Sequence, residues 1–113
     1  MTFGEVLKQI RRDKEVSQRE LAERVGVDFS YISKIENDRM PPPAADTIEE
    51  ICEALDVSPD DLLPLTGKVP SSIKDALGSS SAALGFMREA SEMGLSEEEW
   101  KELQDKLKHL RGD

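Results

Sequence analysis

The segment from Ser17 to Glu36 constrains the fold of this chain more than any other stretch. Ser17 and Glu20 have the spacing of a capping box, which begins a helix, and Gly26 accepts the positive φ that ends one. Ala22 is small, as a residue must be where a second helix crosses closely. Apolar residues recur at inward positions on both sides of the glycine: Leu21, Val25, Val27, Ile32 and Ile35. The pattern predicts two short helices that cross steeply, with an αα-hairpin of another bundle as the alternative.

Further helices are predicted before and after this pair. An apolar stripe over residues 3–10 predicts a first helix, and the spacing of apolar residues predicts a fourth over residues 44–55. Ser58 followed by Pro59 supplies an N-cap and a proline at the first helical position, which predicts a short fifth helix. Three consecutive prolines at 41–43 exclude a helix between the third and the fourth.

Composition divides the chain into three parts. Gly, Pro and Ser punctuate residues 65–81, which we interpret as a linker with one possible short helix at residues 72–77. Residues 82–113 contain two amphipathic segments joined at Gly94, which predict a helical hairpin. We therefore expect an all-α chain with a five-helix domain over residues 1–64, this linker, and a C-terminal oligomerisation segment over residues 82–113. An apolar fraction of 37% suits such a small helical protein.

Neither a membrane protein nor an enzyme is expected. No apolar run approaches the roughly 20 residues that a spanning helix needs, and charges interrupt the N-terminal segment too early for a signal peptide. We therefore expect a cytoplasmic protein. Cys52 and His109 have no Cys or His neighbours at metal-ligand spacing. Cys52 is interpreted as a buried core residue and His109 as a helix-surface residue, so that no catalytic residue, metal or cofactor is predicted.

Three sequence motifs carry a resemblance to a known family. The segments SQRELA, YISKIEN and ALDVSPDDLL resemble the Cro/repressor-like helix-turn-helix family of the xenobiotic-response-element type, over residues 3–63. The resemblance implies a five-helix repressor-like DNA-binding domain whose third helix lies in the major groove, usually as a dimer on a pseudo-palindromic operator. The implied function is sequence-specific transcriptional regulation, most often repression. Asp38 departs from the family, which usually has glycine there, and the loop over residues 39–43 is about one residue longer.

The resemblance and the side-chain chemistry together assign candidate site residues. Phe29 is an aromatic residue at the outward start of the third helix, where it would cover a thymine methyl, and Lys34 would donate to guanine. The predicted base contacts are Phe29, Ser30, Ser33 and Lys34. The predicted phosphate contacts are Gln18, Arg19, Tyr31, Asn37 and Arg39. Asp28 is interpreted as an N-cap. Arg11 and Glu36 match a buried structural ion pair of the family, with two independent surface charges as the alternative.

The charge distribution reconciles an acidic chain with a nucleic-acid partner. The formal net charge is −9, but residues 1–39 contain eight basic and eight acidic side chains. Residues 40–63 contain seven acidic side chains and no basic one. Exposed charges are screened over a Debye length of about 8 Å at physiological salt. We therefore expect DNA binding with a modest electrostatic contribution and a correspondingly greater dependence on base contacts and dimerisation.

The last helix carries an apolar stripe at 3-4-3 spacing, formed by Trp100, Leu103, Leu107 and Leu110. Either the preceding helix of the same chain or a second copy of the chain would cover this stripe. We expect a homodimer, because a two-helix hairpin rarely buries enough surface to stand alone. The C-terminal segment is also similar to the tails of small regulators that accompany a zinc metallopeptidase. That similarity implies a protein partner, and a protein–protein module with weak or no DNA binding is the competing function.

Overall fold

The computed structural model describes residues 1–112. Their regular secondary structure is helical, with no strand, which confirms the predicted all-α fold class. Two compact units divide the chain, and the second begins at Asp75. The helices are α1 Phe3–Asp13, α2 Gln18–Val25, α3 Phe29–Glu36, α4 Ala45–Leu55, α5 Ser71–Gly78, α6 Ser81–Met93 and α7 Glu97–Leu110, with 3₁₀ turns at Pro59–Asp61 and Leu63–Leu65.

Local capping explains where the first helices begin and end. The hydroxyl of Thr2 accepts the Glu5 N–H at 3.1 Å at the start of α1, and the hydroxyl of Ser17 accepts the Glu20 N–H at 3.0 Å at the start of α2. Gly26 takes φ 81° after α2 and so turns the chain toward α3. These bonds satisfy backbone donors that have no partner within the helix.

The core of the N-terminal unit lies between α1, α2, α3 and α4. Helix α3 packs on α1 and α2, and α4 packs on α2. The fully enclosed side chains include Leu7, Leu21, Ile32, Ile35, Ile48, Ile51, Leu55 and Leu62. Every predicted inward residue of the α2–α3 pair is either in this core or packed against it. Burial of these apolar side chains fixes the crossing of the two helices.

The predicted fifth helix is two successive 3₁₀ turns rather than one helix. The Leu62 N–H donates to the Pro59 carbonyl three residues back, and the Leu65 N–H likewise to Leu62. Pro64 carries no N–H and cannot donate to the carbonyl four residues before it, so that a regular ladder of i to i−4 bonds is interrupted in this segment. The turns nevertheless place Leu62 and Leu63 in the core.

A close approach between α1 and the end of α3 requires a glycine. A Cβ at Gly4 would collide with the carbonyl oxygens of Ile35 and Glu36. Asp38 follows α3 with φ 57°, and its carboxylate accepts the Gly4 N–H at 3.3 Å and the Thr2 hydroxyl at 2.7 Å. Asp38 thus replaces the usual glycine and also caps α1 from the end of α3.

The C-terminal unit contains the hairpin of α6 and α7. Gly94, with φ 61°, ends α6, and Ser96 and Glu99 form a capping box that begins α7. Ala90 is buried, whereas Phe86, Met93, Leu107 and Leu110 are exposed. Within residues 1–112, no helix combines the length and apolar character needed to cross a membrane.

Candidate nucleic-acid interface

The outer face of α3 presents most of the predicted base contacts to solvent. Ile32 and Ile35 point into the core, which leaves the opposite face exposed. Phe29 is 39% exposed although it is aromatic, and Ser30 and Lys34 are also exposed. Ser33 and Tyr31 are half-buried, so they are more restricted than the other predicted contacts.

Asp28 caps the N-terminus of α3. The Asp28 carboxylate accepts the Ser30 N–H at 3.1 Å, and Asp28 adopts the extended backbone of an N-cap. This bond stabilises the first turn of the helix, which is the N-cap role that the sequence predicted for Asp28.

A buried ion pair holds α3 against α1. Arg11 Nε donates to Glu36 Oε2 at 2.6 Å, and Arg11 Nη2 donates to Glu36 Oε1 at 2.9 Å. A third bond joins Arg11 Nη1 to the Val16 carbonyl at 2.9 Å. Arg11 is 8% exposed and Glu36 only 2%. The planar guanidinium therefore meets the carboxylate with two of its three nitrogens and fixes the end of α3.

Gln18 extends this network to the start of α2. Its side-chain Nε2 donates to Glu36 Oε1 at 3.0 Å, an interaction that the sequence did not indicate. A carboxamide has two N–H donors and one carbonyl acceptor, so this bond still leaves polar groups of Gln18 for a phosphate. The side chain is half-buried at the edge of the interface.

Arg19 and Phe29 form a stacked pair between the two helices. The Arg19 guanidinium lies 4.8 Å from the centroid of the Phe29 ring, which is within the range of a cation–π interaction. This contact joins a predicted phosphate contact to a predicted base contact. The aromatic ring therefore has a partner in the protein as well as an exposed face.

A shallow cationic cleft of about 410 Å³ lies at the N-terminus of α2. Its lining residues are Lys8, Arg11, Arg12, Ser17, Gln18, Arg19 and Phe29. Backbone N–H groups at a helix N-terminus favour an anion, and the surrounding cations add to that preference. Lys8 and Arg12 are among the basic side chains of residues 1–39 that the sequence leaves available near the phosphates, although neither was assigned as a contact. Their separation of four residues places both on one face of α1.

The remaining predicted phosphate contacts follow α3. The Asn37 side-chain amide donates to the Ser33 carbonyl at 2.9 Å, which orients it along the end of the helix. Arg39 is exposed, and its backbone N–H donates to the Lys34 carbonyl at 2.8 Å. The N-terminal unit therefore contains all predicted base and phosphate contacts on α2, α3 and the loop after α3.

The predicted dimerisation residues lie in the C-terminal unit. An apolar groove of about 550 Å³ is lined by Phe86, Trp100, Leu103, Gln104, Lys106, Leu107 and Leu110. Trp100 and Leu103 are half-buried, but Leu107 is 62% and Leu110 81% exposed. The stripe is thus half-buried in its first part and open to solvent in its last part.

The remaining titratable candidates do not form a site in the part of the chain that the structure describes. Cys52 is buried in the core, and its pKa is raised to about 11, first by burial and then by Asp61, Glu49 and Asp60. His109 is exposed on α7. No cluster of three His, Cys, Asp or Glu side chains suited to a metal occurs among residues 1–112.

Comparison with known proteins supplies the family of this chain. The helix-turn-helix family model matches residues 7–62. The HTH-type transcriptional regulator SinR of Bacillus licheniformis is 31% identical, over 92% of this chain and 98% of its own. SinR of Bacillus subtilis (strain 168) is 41% identical, over 54% of this chain and 55% of its own.

Solved structures agree with these relatives. A crystal structure of the biofilm master regulator SinR in complex with DNA is 40% identical and covers 55% of this chain and 98% of its own, with a TM-score of 0.52. A complex of SinR protein and SinI protein is 30% identical and covers 99% of this chain and 100% of its own, with a TM-score of 0.53. The predicted resemblance is confirmed: this chain belongs to the Cro/C1-type helix-turn-helix family of transcriptional regulators, which includes SinR.

Proposed function

We propose that this chain is a sequence-specific DNA-binding transcriptional regulator that represses by covering a promoter. The observation that carries the proposal is the outer face of α3, which presents Phe29, Ser30 and Lys34 beside a cationic cleft. The solved SinR–DNA complex supports it, because that protein is 40% identical over 55% of this chain. A function on DNA also favours a cytoplasmic protein.

Helix α3 is the reading element of this proposal. Its exposed N-terminal residues would enter the major groove, where each base pair presents a distinct set of donors and acceptors. Lys34 would donate to guanine O6 or N7, the hydroxyls of Ser30 and Ser33 would bond to base edges, and the Phe29 ring would cover a thymine methyl. The buried bond network around Glu36 supports this helix from behind.

Phosphate binding would hold the reading helix in register. The cleft at the start of α2 combines helix N–H groups with Gln18 and Arg19, and Lys8 and Arg12 add positive charge on α1. Tyr31, Asn37 and Arg39 would contact the backbone on the other side of α3. These contacts position the protein but do not distinguish sequences.

The C-terminal hairpin would join two copies of the chain. Its groove is apolar, and the exposed Leu107 and Leu110 continue the stripe of Trp100 and Leu103. Two copies packed through this stripe would form a two-fold dimer, which presents two α3 helices to the half-sites of a pseudo-palindrome.

A second function has an observation in its favour. The complex of SinR protein and SinI protein covers 99% of this chain, so the likeness includes the C-terminal hairpin. We propose that the same apolar stripe also accepts a helical segment of a different protein. Occupation by that protein would compete with the homodimer and lower the affinity for the operator.

Footprinting on the DNA upstream of the protein's own gene tests the proposal. We expect protection of two half-sites about one helical turn apart, and at least a hundredfold preference over random DNA at fixed salt. Binding that is equal on both DNAs would contradict the regulator and favour the protein–protein module.

A further inference from the structure

The segment that follows the last 3₁₀ turn is bound to the N-terminal unit. Lys68 Nζ donates to the Pro42 carbonyl at 3.0 Å and to the Pro43 carbonyl at 2.9 Å. Three residues further on, the Ser71 N–H donates to Asp46 Oδ1 at 2.9 Å, and the Ser71 hydroxyl donates to Asp46 Oδ2 at 2.7 Å. Four bonds, two from Lys68 and two from Ser71, therefore attach this segment to α4 and to the loop before it.

Each bond satisfies a group that its own segment leaves without a partner. Consecutive prolines offer carbonyls but no N–H donors, and Pro43 is buried, so its carbonyl needs a donor from elsewhere. The Lys68 ammonium is that donor. Pro70 precedes α5 and has no side-chain oxygen with which to cap it, and Asp46 provides the cap from α4.

The environment of Asp46 is consistent with this arrangement. The backbone N–H of Ser71 and then its hydroxyl lower the pKa of the Asp46 carboxyl, and Lys74 adds to this effect. The carboxylate is therefore ionised at neutral pH, where it is the better acceptor.

We propose that Lys68, Asp46 and Ser71 form a latch that fixes where the chain leaves the N-terminal unit, and that the latch restricts the half-site spacing that a dimer accepts. The second clause rests on the proposed DNA-binding function. The three residues are positioning residues, because they act on the segment that joins the N-terminal unit to the C-terminal hairpin and do not contact DNA themselves.

A length estimate shows why the latch matters. Thr66 stays bonded to the Leu63 carbonyl, so release would free residues 67–71. A flexible chain of five residues spans about 11–13 Å, from roughly 5–6 Å × √n. One base pair adds about 3.4 Å along the duplex. Each released segment therefore has a reach comparable to about three to four base pairs, so that a released dimer would tolerate sites that a latched dimer rejects.

The test compares two charge-neutral double variants of the full-length protein. Lys68→Met/Asp46→Ala removes all four bonds and leaves the net charge unchanged. Lys101→Met/Asp105→Ala also removes one lysine and one aspartate, both exposed on α7 and outside the apolar groove, and it leaves every bond of the latch and the surroundings of Asp46 intact. Any difference between the two therefore reports the latch rather than the charge near DNA.

Hydrogen exchange gives the first readout and needs no DNA. We expect the Ser71 amide to exchange at least tenfold faster in Lys68→Met/Asp46→Ala than in the wild type, and at the wild-type rate in the control variant. Equal exchange rates in all three proteins would overturn the latch, whatever the protein does on DNA.

Operators with half-sites moved two base pairs closer or further apart give the second readout. We expect the wild type and the control to lose at least tenfold more affinity than the latch variant when the spacing changes. If the Ser71 amide exchanges faster in the latch variant but all three proteins show the same dependence on half-site spacing, the latch has no role in spacing. A wild type that prefers no sequence would contradict the proposed function and the spacing role, while the exchange experiment would still decide the latch.

Discussion

Lys34 and Arg19 illustrate at the level of single residues how reading and positioning differ. We expect Lys34→Ala to cost about 1–3 kcal/mol on the best operator and to relax the preference at one base pair in each half-site. Arg19→Ala should instead weaken all sequences by similar factors and flatten the salt dependence. Binding to a set of singly mutated operators measures both. Identical specificity profiles for the two variants would contradict the assignment of α3 as the reading helix.

Arg11 carries the second prediction at this scale. Its removal leaves the Glu36 carboxylate buried, with only Gln18 as a donor, so Arg11→Ala should lower the free energy of unfolding by roughly 3–5 kcal/mol. Arg12→Ala is the matched control, because Arg12 is the neighbouring arginine but is exposed. Chemical denaturation measures both variants. A stability loss that is equal in the two would show that the ion pair contributes no more than a surface charge.

Helix α4 provides a prediction at the level of an element, through Cys52. Burial and the nearby acids raise the pKa of this thiol from 9.0 to about 11, so the unfolded chain loses the thiol proton first as the pH rises. The contribution of Cys52 to stability is thus complete below about pH 9 and decreases between pH 9 and pH 11. We expect the free energy of unfolding to decrease more steeply over this range in the wild type than in Cys52→Ala. Parallel curves would contradict the raised pKa.

The elements also show how far the sequence determines the fold. The steep pair of α2 and α3 was predictable, because the capping residues, Gly26 and the inward apolar positions are local signals. The 3₁₀ turns at Pro59–Asp61 and Leu63–Leu65 were not predictable. Either a helix or a pair of turns could bring Leu62 and Leu63 into the core, and packing decides between them. Local spacing did predict that Asp28 would cap α3, and the structure contains that bond.

Interactions between distant segments were the part that the sequence did not indicate. The bond from Gln18 to Glu36, the stack of Arg19 on Phe29, and the attachment of Lys68 to the proline loop each join residues that are far apart in the chain. Each depends on how helices pack, and no spacing rule within one helix encodes it. The role of Asp38 at a position where glycine was expected is of the same kind, since its carboxylate caps a helix 34 residues earlier.

At the scale of the whole molecule, oligomeric state and operator affinity should depend on the same apolar stripe. The groove of the C-terminal unit ends in exposed leucines. A second copy of the chain would bury these side chains away from water. We expect the full-length protein to be a dimer at micromolar concentration, and Leu103→Asp/Leu107→Asp to be a folded monomer. The monomer should bind the operator at least a hundredfold more weakly, because it presents a single reading helix that is no longer linked to a second one.

The control for this prediction is Lys101→Asp/Lys108→Asp on the same helix. Neither lysine lines the apolar groove, and the double change alters the net charge more than the leucine variant does. We expect this variant to remain dimeric. Its affinity for the operator should decrease only at low salt, where the added negative charge repels DNA. Light scattering and circular dichroism measure size and folding for all three proteins. A wild-type monomer, or a leucine variant that still dimerises, would place the dimer contact elsewhere in the chain.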